Sequence, residues 1–190
     1  MAEVFERSAR DAGIENARFV LSGWLESEDL EGDVSLLSHV TYFVPEIAPF
    51  IQKLNGATRR RAIIATRSVP PPNQFAPFFE LANGEPAAPV PGHEHLLAVL
   101  KEMAIPAELI DLGEAALPAT APAGKTPEDA IKIQVEGGIR LGWVRPDESE
   151  RYAELLHSRF DDLFAPTDDG YRQRTALGAR ELIITWETRR

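Results

Sequence analysis

Apolar positions follow two rhythms along this chain, one helical and one of short strand-length runs. Val4, Phe5 and Ala9 or Ala12 share a stripe with Ser8, and charged residues lie outside it, which predicts an amphipathic helix over residues 2–12 stopped by Gly13. Residues 16–22 (NARFVLS) read as a strand, and the acidic residues Glu26, Glu28, Asp29 and Glu31 form a surface linker before a second strand at 34–37. Pro45 fits the first turn of a helix carrying Ile47, Phe50, Ile51 and Leu54, which Gly56 closes. Residues 62–66 (AIIAT) form the next strand. Strand, helix and strand in this order predict a right-handed parallel crossover.

After Arg67 the texture changes. Val69 and three prolines form a rigid extended segment, and Phe75, Phe78, Phe79 and Leu81 then predict a short apolar helix ending near Asn83 and Gly84. Residues 94–103 read as a helix with Leu96, Leu97 and Leu100 inward, residues 107–112 as a strand, and residues 115–124 as a flexible surface connection. Thr126, Pro127, Glu128 and Asp129 mark a helix start, with an expected end near Gly137 and Gly138. One amphipathic helix is expected over 149–164 and a terminal strand near 181–186. The expectation is a single α/β domain over 1–190 with a Pro-rich insertion around 68–93. Its doubly wound, mostly parallel sheet uses 34–37, 62–66 and 181–186, with helices on both faces.

Length and composition suit one globular core: 190 residues, 44% hydrophobic and 26% charged. Thirty acidic residues against twenty basic ones give a net charge of -10, which opposes broad binding to a nucleic-acid backbone. With no cysteine, disulfides, thiol nucleophiles and thiolate metal sites are excluded. No window approaches the roughly 18 apolar residues of a membrane span, and a cytoplasmic location is expected.

His39 is the leading candidate for chemistry. It falls at the carboxyl end of the 34–38 strand, where α/β sheets bind ligands, and there it could take a proton or brace the loop by hydrogen bonds. Tyr42 and Phe43 follow, one able to cover a pocket and the other to pack under the helix. Asp33 stands at the amino end of the same strand, where a cap or solvent-facing role fits better. The arginines at 59, 60, 61 and 67 bracket a strand as a salt-bridged corner or an anion contact. The three phenylalanines either line an acceptor pocket or pin the insertion to the core. His93 and His95, two apart on a helix start, do not face one metal site. No phosphate-cradling glycine loop, zinc-protease motif or nucleophile elbow occurs.

Residues 33–54 (DVSLLSHVTYFVPEIAPFIQKL) resemble the central strand, post-strand loop and helix of class I S-adenosylmethionine-dependent methyltransferases. The run RRRAIIATR at 59–67 is similar to their next strand, residues 9–24 to the helix and third strand, and LIITW at 182–186 to the closing strand. The resemblance implies a Rossmann-like sheet of order 3-2-1-4-5-7-6, S-adenosylmethionine as cofactor and a small-molecule methyl acceptor. It assigns Ser22, Gly23 and Trp24 to the adenine edge, and Ser38, His39 and Val40 to the wall beside methionine and ribose. His39 and Tyr42 would lie near the transferred methyl group.

The family's glycine-rich loop and ribose-binding acid have no counterpart in these residues. The resemblance therefore implies a domain without the first two strands, a truncated form with impaired cofactor binding. A homodimer or an N-terminal companion segment would supply the missing edge. The competing expectation is a noncatalytic structural or partner-binding domain derived from the same fold.

Overall fold

The computed structural model describes residues 2–114 and 124–188. Helix α1 (Ala2–Asp11) buries none of its residues, and Phe5 meets Phe19 at 5.6 Å between ring centroids. Residues 16–22 form no strand, contrary to the sequence expectation. Leu21 is 89% exposed, and no neighbouring strand takes up this segment's backbone hydrogen bonds among the described residues.

Strand β1 (Gly32–Ser38), helix α2 (Ile47–Ala57) and strand β2 (Thr58–Arg67) make the expected parallel crossover, with Ser35 opposite Ala62 and Leu37 opposite Ile64. No loop separates α2 from β2. The buried Thr58 hydroxyl donates to the Leu54 carbonyl at 2.7 Å, satisfying an end-of-helix acceptor, and accepts from the Ser35 hydroxyl at 2.6 Å. Because β2 begins at Thr58, Arg59 to Arg61 lie within the strand rather than at a corner. Arg59 donates to Asp33 at 2.8 Å and Arg61 to Glu187 at 3.1 Å. The Arg59 hydrogen bond holds the Asp33 carboxyl below the usual carboxylate range.

The insertion folds as α3 (Pro71–Gln74) and α4 (Ala76–Asn83), the latter ended by Gly84 at φ 73°. Asn73 closes it by donating to the Val90 carbonyl at 3.0 Å and accepting the Val90 N–H at 2.8 Å. Helix α5 (His93–Glu102) and strand β3 (Glu108–Glu114) follow. The expected connection at 115–123 lies outside the described residues. Helix α6 (Pro127–Arg140) starts with a full capping box between Thr126 and Asp129.

Helix α6 ends at Arg140, near the Gly137–Gly138 pair as expected, and Gly138 lets Val144 and Trp143 pack directly on its backbone. The expected helix over 149–164 is two: α7 (Ser149–Ser158) and α8 (Phe160–Leu163). Phe164 then leaves into a hairpin of β4 (Phe164–Thr167) and β5 (Gly170–Gln173), stacking on Phe160 at 4.8 Å. Strand β6 (Arg180–Glu187) ends the described fold.

The main sheet has the order β1-β2-β6-β3, and it contains all three strand segments expected to share it. β6 runs antiparallel to both β2 and β3, so only one of the three pairings is parallel, although three of the four strands point the same way. This corrects the expectation of a mostly parallel ladder. The arrangement matches the 4-5-7-6 half of the strand order that the methyltransferase resemblance implies.

One sheet face is covered. Ala62, Ile64, Ile184 and Trp186 pack there beneath Phe50, Ile51 and Leu54 of α2 and Leu96 and Leu100 of α5. Ile51, Ile64 and Ile184 are fully buried, each stabilising the fold by about 1.5–3 kcal/mol. Register places Val34 and Leu36 on the opposite face, where they are 55% and 69% exposed. Helices on both faces were expected, but α4, α6 and α7 instead gather a second cluster around Phe78, Ile131, Tyr152, Leu156 and Phe164.

Two measurements test this packing. A Cβ at Gly138 would sit 2.7 Å from Val144 Cγ2, whereas at Gly137 it would meet nothing within 4 Å. In chemical denaturation Gly137→Ala is expected to raise stability by about 0.5–1 kcal/mol, and Gly138→Ala to lower it by about 1–3 kcal/mol. Burial pushes the Tyr152 phenol from 10.0 up to about 12, against a smaller opposing pull from the Gln134 amide. The unfolded chain ionises first, so stability is expected to fall between pH 10 and about 12. Tyr152→Phe should remove that decline from the pH dependence of unfolding.

Candidate functional site

The carboxyl ends of β1 and β2 lie side by side, and the loop leaving β1 turns across them. His39 N–H donates to the Ala65 carbonyl at 3.0 Å, adding one more rung to the parallel ladder. The chain then turns sharply, with His39 at φ 55°, a left-handed conformation that costs a non-glycine residue about 1–2 kcal/mol. Residues Thr41–Phe43 form a single 3-10 turn that drives Tyr42 inward, leaving it 5% exposed, and Phe43 outward, 66% exposed. The sequence left open which of the two aromatics would pack inside. It is Tyr42.

The Tyr42 hydroxyl ties this loop to β2. It accepts the Arg67 backbone N–H at 2.6 Å and the Thr66 hydroxyl at 2.9 Å, filling both lone pairs. Its own hydrogen is then directed to His39 Nδ1 at 3.4 Å. That assignment leaves the neutral imidazole's hydrogen on Nε2, facing Glu181 Oε2 at 3.7 Å. Glu181 is held from its other oxygen by Arg67 Nε at 2.8 Å, a pair whose side chains are 16% and 25% exposed. The result is a continuous path from Tyr42 through His39 and Glu181 to Arg67. With both its lone pairs filled, the Tyr42 oxygen receives no further proton; the hydroxyl orients the His39 ring, whose Nε2 side faces a carboxylate.

Three members of this cluster were not assigned to the site by the sequence. Glu181 and Arg67 meet because the antiparallel register of β6 on β2 sets them opposite each other. No local pattern announces a partner 114 positions away. Thr66 reads as the polar end of an apolar strand, and only the inward turn of Tyr42 gives its hydroxyl a role.

The structure brings His39 and Tyr42 together, with Ser38 and Val40 on either side of His39. Trp24 lies elsewhere, against the outer side of α2. Its indole N–H donates to the Phe50 carbonyl at 3.3 Å, its ring packs 5.9 Å from Phe50, and Lys53 Nζ stands 5.2 Å above it. Gly23 precedes it in a turn closed by the Ser27 N–H at 2.9 Å, and the Ser22 hydroxyl donates to the Gly23 carbonyl.

No family model matches the chain, and no curated protein does. Solved structures do resemble it. The whole chain superposes on 79% of the YcgJ protein from Bacillus subtilis with a TM-score of 0.55 at 10% identity. SpnF, a [4+2]-cyclase, gives 0.53 at 10% identity over 99% of this chain and 62% of that one. The MccD protein gives 0.50 at 9% identity, over 99% and 75%. The chain shares its fold with these proteins.

At such identities the likeness concerns the fold alone, which by itself assigns no reaction. Among the described residues no three or more His, Asp or Glu gather as a metal site, and no helix is long and apolar enough to cross a membrane. Tyr42→Phe should expose the role of the hydroxyl. Two donors, from Thr66 and Arg67, lose their acceptor in a buried setting, so thermal or chemical unfolding is expected to show a loss of about 1–3 kcal/mol.

Proposed function

We propose that this chain is a methyltransferase-like domain in which the β1–β2 crevice orients a small-molecule acceptor for transfer of a methyl group from S-adenosylmethionine. The observation that carries the reading is His39. A non-glycine residue held at positive φ at the carboxyl end of a parallel strand, with both ring nitrogens facing partners, is strain retained where ligands bind in α/β sheets. The sheet order supports the same reading.

S-adenosylmethionine would supply an electrophilic methyl group. The fit of this chain to that cofactor is partial. The loop Ser38, His39 and Val40 suits one wall of the crevice, with Val40 and Ser38 open to solvent. Trp24 spends its indole N–H and one ring face on α2, so the adenine edge assigned to Ser22, Gly23 and Trp24 requires that segment to swing off the helix. The residues themselves hold the acceptor's side of the reaction. Tyr42, Glu181 and Arg67 fix the His39 ring at the wall of the crevice, and exclusion of water with good orientation does the rest.

In this reading the 190-residue chain taken alone holds one wall of the cofactor crevice and binds S-adenosylmethionine weakly. Each well-oriented hydrogen bond to a charged group contributes about 1.5–3 kcal/mol, and about 1.4 kcal/mol is tenfold in affinity. A second reading, a noncatalytic partner-binding domain, is favoured by one observation: the outward face of β1 leaves Val34 and Leu36 exposed beside an edge with no strand partner among the described residues.

Titration calorimetry of the chain with S-adenosylmethionine separates these views. Saturable binding at about millimolar concentration, weakened at least tenfold further by His39→Ala, is the expected outcome. Micromolar affinity would overturn the one-wall reading. Absence of saturable binding would sink the methyltransferase reading in favour of the partner-binding one.

A further inference from the structure

Two cavities adjoin beyond the carboxyl end of β2, and their walls differ in chemistry. The first, of about 270 Å³, is bounded by Arg67, Arg140 and Arg172, and no carboxylate lines it. In a chain of net charge -10 this is a concentration of positive charge against the overall balance. Arg67 is shared with Glu181 and Arg172 with Asp169, whereas Arg140 makes no ion pair among the described residues. Gln134 also lines this cavity. Its residue is only 4% exposed, its Oε1 accepts the Gln173 amide at 2.7 Å, and its Nε2 makes no hydrogen bond of normal geometry.

The second cavity, of about 480 Å³, is almost wholly apolar and bounded by Phe43, Phe75, Phe79 and Trp143. Phe79 stacks on Trp143 at 5.9 Å and 11°, and Phe75 meets the same indole edge-on at 6.1 Å and 77°. Pro71, Phe75, Leu141 and Trp143 line both cavities, so the two form one trough with an aromatic end and a cationic end. Its volume is in the range of small-molecule sites. The trough touches the His39 cluster twice. Arg67 clamps Glu181, and Phe43 packs edge-on against Tyr42 at 6.0 Å.

We propose that this trough binds a planar aromatic carboxylate, its ring system among Phe43, Phe75, Phe79 and Trp143 and its acid group on the arginine side, with Arg140 as the principal counter-charge. Flat rings gain from offset and edge-on contacts that a saturated ring of equal size does not make. A guanidinium without an internal ion pair can take a carboxylate bidentately without first giving up a partner. Naming this ligand the methyl acceptor rests on the methyltransferase reading, but its binding does not.

Calorimetry and quenching of tryptophan fluorescence on the full chain, without S-adenosylmethionine, test the site with 2-naphthoate. The comparison ligands are 2-naphthol, which keeps the rings and lacks the carboxylate, and decahydro-2-naphthoate, which keeps the charge and lacks the aromatic rings. One-to-one binding of 2-naphthoate is expected, at least tenfold tighter than either. Arg140→Gln should weaken 2-naphthoate at least tenfold and leave 2-naphthol within about twofold. Phe79→Leu, which retains apolar bulk, should weaken both aromatic ligands. Equal affinity for the saturated and aromatic acids, no effect of Arg140→Gln, or no saturable binding would overturn the proposal. If 2-naphthoate binds as described while S-adenosylmethionine does not bind, the site stands and the methyltransferase reading fails.

Discussion

Strand β6 lies between β2 and β3, and the rest of the structure depends on its two antiparallel ladders. It joins the last described segment of the chain to strands more than a hundred and more than sixty residues earlier, at the loop-closure cost that such separations impose. The offsetting gain is burial. Ile184 and Trp186 complete the apolar face that α2 and α5 cover, and the Thr185 hydroxyl donates to the Ala62 carbonyl at 2.8 Å. The same register brings Glu181 opposite Arg67, so the strand that closes the core also orients His39.

The chain thus divides its apolar surface between two clusters, with the trough where the insertion and α6 meet the end of β2. Phe78 is fully buried in the second cluster, while Phe75 and Phe79 line the aromatic cavity. Phe78 thus pins the insertion to the core, one of the two uses foreseen for the three phenylalanines, while Phe75 and Phe79 border a cavity. Trp143 links them, packing on Phe75 and Phe79 on one side and against Gly138 of α6 on the other. Acidic and basic side chains are distributed unevenly around this arrangement. Asp169, drawn down to about 2 by hydrogen bonds from Arg172 and then Thr167, anchors the hairpin turn outside the cavity, and the arginines face the trough's inner wall.

Much of the local structure was legible in the residues. The crossover from β1 to β2, the cap at Thr126, the stop at Gly84 and the amphipathic face of α5 each rest on interactions within a few residues or on one hydrophobic period. The failures share a different cause. Residues 16–22 have the composition of a strand, but a strand exists only when another backbone takes its hydrogen bonds. The helix ending at Ser158 was read as running on to Phe164, but Phe164, stacked on Phe160 and edge-on to Phe78, instead begins a hairpin.

The site divides along the same line. His39 at the end of an apolar strand, and Tyr42 three residues later, were visible as candidates because strand ends and loop positions follow from local pattern. By itself the sequence determined the four strands of the main sheet and most of the helices, where the first crossover turns, and that an acidic, cysteine-free chain would bury a mixed α/β core. Only the tertiary structure decided that Tyr42 rather than Phe43 turns inward, that Glu181 and Arg67 flank the imidazole, and that Arg140 and Trp143 share one trough. The reason is range: hydrogen-bond periodicity acts over a few residues, whereas the register of β6 and the meeting of α4 with α6 are set by packing between segments distant in the chain.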